Sequence, residues 1–498
     1  MDDAATANSC ILMAAIQIAI VGAGISGLVT ARILAAAGNT VRVFEKAREI
    51  GGVWSPQRHY PGLRTQTPRD CYAFSDFPMP QDYPEFPNAV QMHRYLRSYA
   101  DYHGISSHIE LQTTVTRITG RTDGRPGWLL TVTGPDDSTR SEAFDFVVVC
   151  NGVFSEPDIP ALPGREAFEA SGGAVHHSSG LDIDRLRGRD VVVVGFGKSA
   201  LDIAEAALPV AKRCTLVCSR TAWKVPRYLP GGINAKHFIL SRFSEFWLPH
   251  PSMRGLRRFL HKRLPRLVDL YWLASERALG RQLGLLSKRM RPQIRLRESI
   301  GTCFGFAPDD NFRAVRSGKI GLHVGRVVDL TPEGVAAADG AVIPAQTVVF
   351  ATGFRLQCPF LAAAQQSALF GTDGVPRLYR YLVCPGIPDM AFNGYNGGGA
   401  SQLLSEIGAR WIEQLVAGRM RLPDRRIMDA AIEDELALRR RLLPVARGLG
   451  YYTSPFMFAY LDQLLADMGK PPGDGAKSWW CRLFTAIDPA DFADRRRA

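Results

Sequence analysis

The sequence lacks the paired cysteines that characterise disulfide-bonded domains and zinc sites. Its 498 residues include nine cysteines, an odd number, and no Cys-x-x-Cys pair occurs. Cys214 and Cys218 have three residues between them on a predicted strand. This pattern excludes a disulfide framework, gives no expectation of a metal site, and fits a reducing, cytoplasmic location.

Long hydrophobic runs are also absent. No apolar stretch reaches the length needed to cross a bilayer, so we expect no transmembrane segment. The chain begins Met-Asp-Asp and lacks the basic residues of a signal peptide. The apolar run from Ile11 is therefore expected to be the first strand of the fold, and the Asp-Arg-Arg-Arg-Ala end offers no anchor.

Acidic residues are scarce in one basic segment. The formal net charge is +12, and the many arginines and lysines from Arg254 to Arg297 are opposed only by Asp269, Glu276 and Glu298. Interleaved leucines and aromatics predict amphipathic helices, an insertion at about residues 225–300. The segment has three interpretations. It can be a solvated basic face that covers a packed apolar face, or a patch that binds a membrane surface. It can also attract anionic ligands, such as NADPH, through its positive charge. Nothing indicates base readout, which excludes nucleic acid as a partner, and a homo-oligomer stays open.

A strand, glycine turn, helix and second strand occupy residues 16–45. Gly22 allows the tight turn, Gly24 lets a pyrophosphate approach the backbone, and Gly27 lets the helix pack on the strand. Glu45 ends the second strand, where a carboxylate binds ribose hydroxyls and repels a 2′-phosphate. This site is predicted to bind FAD or NAD. Its remaining candidate contacts are Ile25, Ser26, Gly52, Val53 and Trp54.

A second glycine motif follows the buried strand at 191–194. Gly195, Gly197 and Ala200 repeat the spacing, with Lys198 and Ser199 between them. The next strand ends at Ser219-Arg220-Thr221, where a cation replaces the acid and can pair with a 2′-phosphate. One site suits FAD and the other NADPH, which indicates a flavoprotein reduced by NADPH. The missing Cys-x-x-Cys argues against a flavoprotein of the thioredoxin reductase type.

The predicted fold is α/β, with two Rossmann-like domains, of which the FAD domain is discontinuous. We expect its first part at 1–155, the NADPH domain at 156–330, and its second part with the C-terminal tail at 331–498. Buried strands at 146–152 and 347–354 are both expected to return the chain to the FAD domain, the latter ending at the candidate cofactor contacts Thr352 and Gly353. Helices are predicted at 89–103 and 402–417, and small antiparallel strands at 110–118 and 128–133. Trp479, Trp480 and Phe484 are predicted to be core residues.

These residues resemble the flavin-containing monooxygenases of the N-oxide-forming, dimethylaniline monooxygenase type over nearly the whole chain. The resemblance rests on both glycine motifs, on Gly51–Trp54, on the loop Tyr60–Arg69, on Ala351-Thr352-Gly353, and on Gly173–Ser179, which is similar to the family's FxGxxxH signature. Ser171 stands where that signature has phenylalanine, and Leu181 where an aromatic is usual.

The resemblance implies an NADPH- and O2-dependent monooxygenase that forms a C4a-(hydro)peroxyflavin and oxygenates a nitrogen or sulfur centre. Gln66 falls where the family has a catalytic asparagine, and Thr65 precedes it. His177 is the third candidate catalytic residue, and a structural role in joining the domains is the favoured interpretation of it. Three alternatives stay open: Baeyer–Villiger oxygenation of a ketone, a flavin oxidase or reductase without oxygen transfer, and a nucleotide-binding protein without catalysis.

Overall fold

Two parallel five-stranded sheets form the framework of the computed structural model, which describes residues 15–287, 290–300, 305–307, 309–442, 455–473 and 477–493. The first sheet has the order Met390–Phe392, Phe146–Val149, Gln17–Val21, Thr40–Phe44, Ile109–Glu110. The second has the order Gly321–Val324, Arg213–Cys218, Asp190–Val194, Thr347–Phe350, Ala174–His177. Their central strands are runs of β-branched residues because helices cover both faces of a parallel sheet. The predicted α/β class with two dinucleotide-binding folds is confirmed.

The strand Thr347–Phe350 corrects the predicted course of the chain. It pairs with Asp190–Val194 on one side and with Ala174–His177 on the other, so it is a strand of the second sheet, and the expectation that it returns the chain to the FAD domain is wrong. The chain returns to the first sheet only at Met390–Phe392, which pairs with Phe146–Val149. The strands at 146 and 347 are both buried runs that end in a glycine turn, and nothing local distinguishes which sheet each one joins.

Smaller sheets surround these two. The predicted pair at 110–118 and 128–133 is a three-stranded antiparallel sheet of Thr114–Gly120, Trp128–Thr133 and Thr139–Phe144. A second antiparallel sheet contains Val327–Thr331, Gly334–Ala337 and Val342–Pro344. Three two-stranded pairs join Val225–Pro226 to Phe306–Ala307, Tyr228–Leu229 to Ile233–Asn234, and Glu156–Pro157 to Phe354–Arg355.

The two predicted helices are present, at Ala89–Tyr102 and Ser401–Val416. The other helices of the described ranges are Ile25–Ala36, Arg165–Ala170, Lys198–Ala207, Lys236–Ile239, Arg242–Phe246, Gly255–Arg263, Pro265–Leu283, Leu296–Ser299, Asp309–Arg316, Ala363–Phe370, Arg425–Leu442, Met457–Asp467 and Trp479–Phe484. Ile25–Ala36 packs in the core of the first sheet together with Ser401–Val416. Nowhere in the described ranges is a helix both long and apolar enough to span a membrane.

The tail departs from its prediction. Trp479, Trp480 and Phe484 are 49%, 66% and 42% exposed, so their assignment to the core is wrong. Their helix has six residues and buries only Leu483, because so short a helix can turn little more than one side chain inward. The basic insertion forms helices at Gly255–Arg263 and Pro265–Leu283, as predicted. Lys288, Arg289, residues 11–14 of the apolar run and the terminal residues 494–498 lie outside the described residues.

Candidate cofactor and active site

The first glycine turn is built as its sequence predicts. Gly22 has φ +103°, and a Cβ there would lie 2.7 Å from the Cys150 carbonyl oxygen. A Cβ on Gly27 would lie 1.9 Å from the Gly22 oxygen, so only glycine allows the helix Ile25–Ala36 to approach the strand. Gly24 caps this helix and provides no side-chain hydrogen bond. The first N–H groups of the helix are therefore left for a phosphate, with Ile25 and Ser26 in the first turn.

Glu45 is held directly against the glycine turn. Its side chain is buried, and its Oε2 accepts a hydrogen bond from the Ala23 N–H at 2.7 Å. Its Oε1 accepts one from the Ala47 N–H at 2.9 Å. Each carboxylate oxygen can accept a second hydrogen bond. Glu45 is therefore fixed beside the turn with acceptor capacity for ribose hydroxyls.

The Gly51–Trp54 turn packs against the first glycine turn. A Cβ on Gly52 would lie 3.2 Å from the Gly24 Cα, and the Gly51 N–H donates to the Ala23 carbonyl at 2.8 Å. The glycines of this turn thus allow one backbone turn to approach the other closely. Val53 is half-buried. Trp54 is buried and makes a T-shaped contact with Tyr72, with 6.3 Å between the ring centroids.

The second glycine turn repeats this arrangement. Gly195 has φ +136°, and a Cβ there would lie 2.6 Å from the Ala351 carbonyl oxygen. A Cβ on Gly197 would meet nothing within 4 Å, which leaves open space where a pyrophosphate would pass. Ala200 is fully buried, and Ser199 is half-buried in the first turn of the helix Lys198–Ala207.

Lys198 is engaged within its own helix. Its ammonium forms an ion pair with the buried Asp202 carboxylate, which also accepts a hydrogen bond from the Tyr60 hydroxyl at 3.3 Å. Burial lowers the pKa of Lys198 and raises the pKa of Asp202. Lys198 therefore lies in the second glycine motif, as predicted, but its ammonium group pairs with Asp202.

The strand Arg213–Cys218 ends at the predicted 2′-phosphate site. Ser219 and Arg220 are exposed, whereas Thr221 is buried. Arg220 forms no salt bridge with any residue in the described ranges, so its guanidinium is available to an anion. Ser219 and Arg220 can both reach a phosphate in solvent, and the Thr221 side chain is less accessible.

The loop 60–69 touches both halves of the molecule. The Gln66 Oε1 accepts a hydrogen bond from the Phe306 N–H at 3.2 Å, and Phe306 pairs with Val225 beyond the second site. The Thr67 hydroxyl donates to the Gly399 carbonyl at 2.5 Å. Because Phe306 binds the oxygen, the NH2 group of the Gln66 amide is left as a donor.

Hydrogen bonds engage both ring nitrogens of His177, at the end of a second-sheet strand. The Ser179 N–H donates to Nδ1 at 3.0 Å, so Nε2 carries the proton and donates to the Gly353 carbonyl at 2.9 Å. Burial lowers the pKa of His177, which keeps the ring neutral. With both nitrogens engaged, the geometry favours the structural role over proton transfer. Thr352 and Gly353 lie at the end of a second-sheet strand, and the Thr352 hydroxyl donates to the Asp158 carbonyl.

The two glycine turns test whether a dinucleotide cofactor fits here. The helix behind Gly24 begins with N–H groups that no cap side chain binds, and the space beside Gly197 is open. Glu45 keeps acceptor capacity for ribose hydroxyls. A pyrophosphate requires free N–H groups at a helix start and an open backbone approach, so the residues present fit FAD and NADPH.

The fold and site thus define a flavoprotein with two dinucleotide sites. A family model described as flavin-binding monooxygenase-like matches residues 15–472. The chain is 30% identical to a probable flavin-containing monooxygenase 1 of Arabidopsis thaliana, over 92% of both chains. It is 28% identical to the N-oxide-forming dimethylaniline monooxygenase 2 of Oryctolagus cuniculus, over 92% of this chain and 83% of the relative. A solved cyclohexanone monooxygenase superposes with a TM-score of 0.65 at 19% identity, over 91% of this chain and 98% of that one.

The chain belongs to the flavin-binding monooxygenase-like family. It is an FAD-dependent monooxygenase that uses NADPH and O2. The first glycine turn with Glu45 would hold FAD, and the second turn with Arg220 would hold NADPH.

Proposed function

We propose that the enzyme oxygenates a nitrogen or sulfur centre of a small molecule. The observation that carries this proposal is the loop 60–69, which makes contacts on both sides of the site: Gln66 with Phe306, and Thr67 with Gly399. These contacts support the proposal that the reactive ends of two bound dinucleotides meet beside this loop. The similarity to an N-oxide-forming relative supports the nitrogen chemistry.

Bound FAD supplies the redox chemistry, since it accepts two electrons from NADPH and passes them to O2. The protein supplies orientation and exclusion of water. In this proposal the Gln66 NH2 group and the buried Thr65 hydroxyl, which has no partner among the described residues, donate hydrogen bonds beside the flavin. His177 joins the Gly353 turn to the end of its strand and is a positioning residue.

The test is oxidation of a tertiary amine, a thioether and a cyclic ketone by the purified holoenzyme under labelled O2. The proposal predicts labelled N-oxide or S-oxide, and predicts that Gln66→Leu turns NADPH consumption into hydrogen peroxide release. Gln66→Asn, which retains the amide, should keep more of the coupling. Hydrogen peroxide as the sole product with all three substrates would refute oxygen transfer.

Baeyer–Villiger oxygenation is the second candidate. The observation that favours it is the superposition on a cyclohexanone monooxygenase. Lactone formed from the ketone, with neither N-oxide nor S-oxide, would replace the first proposal with this one.

We also propose a domain division. The FAD-binding part takes residues 1–155 and resumes after the second-sheet strand Thr347–Phe350. The NADPH-binding part starts at 156 and carries the basic insertion at 225–300. This revises the predicted end at residue 330, because both the Val342–Pro344 and Thr347–Phe350 strands precede the return to the first sheet at Met390–Phe392.

The proposal places the enzyme in the cytoplasm, with a small-molecule substrate and O2 as reactants and no nucleic acid partner. The proposal also includes a homo-oligomeric state, which analytical ultracentrifugation would test by measuring the mass in solution.

Peripheral membrane contact through the insertion is the last part of the proposal. Leu267 and Leu270 are 48% and 57% exposed on the helix Pro265–Leu283, beside the exposed Arg263 and Arg266. The exposed Trp480 and Phe484 share one face of their helix, because they are four residues apart. Phe484 contacts Phe243 at 5.3 Å, and Phe243 contacts Tyr271 at 5.9 Å, which joins the two exposed surfaces.

Exposed leucine and tryptophan beside arginine suit the interface of an anionic bilayer. Two copies of the basic insertion would repel each other, so a dimer that forms through this surface is disfavoured. Co-sedimentation with phosphatidylglycerol vesicles should therefore exceed that with phosphatidylcholine vesicles. The change Leu267→Glu with Leu270→Glu should abolish binding, whereas Ile427→Glu, at an exposed site on another helix, should not. Equal binding to both vesicles, or none at low salt, would contradict the proposed contact.

A further inference from the structure

Lys198 occupies an electrostatically unfavourable position in the second glycine motif. It is the first residue of the helix Lys198–Ala207, where the helix dipole places its positive end. The first turn of this helix contains no acidic residue, and Gly197 caps it without a side-chain hydrogen bond. A cation at this position therefore needs an anion nearby, and in this structure the anion is Asp202, four residues further along.

The ion pair between Lys198 and Asp202 is held against the cost of burial. Their side chains are 14% and 2% exposed, and burial lowers the pKa of Lys198 and raises the pKa of Asp202. Removing two charges from water offsets much of their attraction, so another anion can compete for the ammonium group. The neighbouring Gly197 offers that anion an approach, because a Cβ there would meet nothing within 4 Å.

Asp202 keeps other partners when the ammonium group leaves. The Tyr60 hydroxyl donates to the same carboxylate oxygen, Oδ2, at 3.3 Å. The positive charge of Arg227 also acts on Asp202 and opposes the rise of its pKa. A buried carboxylate that loses its only partner is strongly destabilising, but Asp202 retains a hydrogen-bond donor and a nearby cation.

Tyr60 connects this carboxylate to the loop 60–69. Tyr60 packs against the core of the second sheet, whereas Leu63 packs against the core of the first sheet. A Cβ on Gly62 would lie 2.9 Å from the Asp202 carbonyl oxygen, so the backbone of the loop rests directly on the helix. A change of partner at Asp202 therefore acts on the loop that carries two of the candidate catalytic residues.

We propose that Lys198 exchanges partners when NADPH binds, from the Asp202 carboxylate to the pyrophosphate at the helix start. Asp202 is then left to Tyr60, which holds the loop 60–69 in place while the cofactor is bound. Lys198 contacts the cofactor, and Asp202 and Tyr60 are positioning residues. The inference rests on the assignment of NADPH to the second glycine turn, and not on which centre the enzyme oxygenates.

The exchange predicts effects of opposite sign on cofactor binding. Lys198→Met removes a charge-assisted contact, so the dissociation constant of NADP+ should rise about tenfold. Asp202→Asn removes the competing carboxylate, so the dissociation constant should fall about 3- to 10-fold. A purely structural Asp202 would not tighten binding when it is replaced. Both dinucleotides contain the pyrophosphate, so NAD+ should show the same ratios, unlike a change at Arg220.

Tyr60→Phe tests the connection to the loop. It removes the hydroxyl that compensates the Asp202 charge after the exchange, so the dissociation constant of NADP+ should rise about threefold. In the Asp202→Asn background the same change should have little effect, because no charge is left to compensate. This double-mutant cycle isolates the contribution of the Tyr60–Asp202 pair.

The experiment titrates NADP+ and NAD+ into the oxidised holoenzyme by calorimetry and follows thermal unfolding in parallel. Asp429→Asn is the matched control, because it removes the same charge from an exposed pair with Arg425 on another helix. Hydrogen–deuterium exchange of the loop 60–69 is the second readout. NADP+ should slow this exchange in the unchanged enzyme but not in Lys198→Met, so the test does not depend on the folding of Asp202→Asn.

The outcomes separate the exchange from the cofactor assignment. Weaker or unchanged binding of NADP+ to folded Asp202→Asn, or unchanged binding to Lys198→Met, would overturn the exchange. Gly197→Ala should weaken binding whenever the pyrophosphate passes that glycine, whatever Lys198 does. Unchanged affinity in both Lys198→Met and Gly197→Ala would therefore overturn the assignment of the second turn as well.

Discussion

Arg220 provides the sharpest test of cofactor choice. It follows the strand Arg213–Cys218, is exposed, and forms no salt bridge within the described ranges. A charge-assisted hydrogen bond is worth about 1.5–3 kcal/mol, so Arg220→Ala should raise the KM for NADPH about 10- to 100-fold. NADH has no 2′-phosphate, and its KM should not change.

The assay is steady-state oxidation of both dinucleotides by flavin-loaded enzyme. Arg213→Ala is the control, because Arg213 lies at the other end of the same strand and pairs with Asp190 at 2.9 Å. The reasoning is refuted if the KM for NADPH is unchanged, or if the two dinucleotides lose affinity equally.

Three further predictions concern the turns and the stability of the fold. Gly27→Ala places a Cβ 1.9 Å from the Gly22 oxygen and should cost several kcal/mol, about 3 or more, with loss of FAD on purification. Gly197→Ala has open space around the new Cβ, so the fold should survive in circular dichroism melts while the KM for NADPH rises, since the methyl enters the pyrophosphate path. Burial lowers the pKa of His103 to about 4, below its unfolded value, so between about pH 6.5 and pH 4 only the unfolded chain gains the proton. The free energy of unfolding should therefore fall by about 1–2 kcal/mol as pH decreases through that window, after allowance for the half-buried ring, and His103→Phe should flatten this part of the urea-denaturation profile.

Local backbone chemistry made the two nucleotide turns predictable. Gly22 and Gly27 are required by contacts inside one strand–turn–helix unit, so the spacing alone identifies them. The sheet joined by Thr347–Phe350 was not predictable in this way, because its run has the same composition and ending as Phe146–Val149. Pairing with strands distant in sequence decides which sheet each of these two runs joins, and no residue near 347 specifies that pairing.

Burial in the tail and at the start of the helix Ser401–Val416 depended on tertiary context. Tryptophan favours the interior, yet Trp480 lies on a helix too short to bury it. Gln402 shows the reverse, since a polar residue in the first turn of a helix is expected at the surface and is fully buried here. Its placement follows from the packing of its helix on Ile25–Ala36, which joins segments nearly 400 residues apart.

The most direct measurement of the central claim follows one turnover of the yellow holoenzyme. NADPH is added without oxygen, the loss of flavin absorbance is recorded, and 18O2 is then admitted with a tertiary amine or thioether present. The account predicts that NADPH bleaches the flavin, and that one labelled oxygen atom enters the product for each NADPH consumed. A flavin that NADPH cannot bleach, or oxygen recovered entirely as hydrogen peroxide and water, would contradict it.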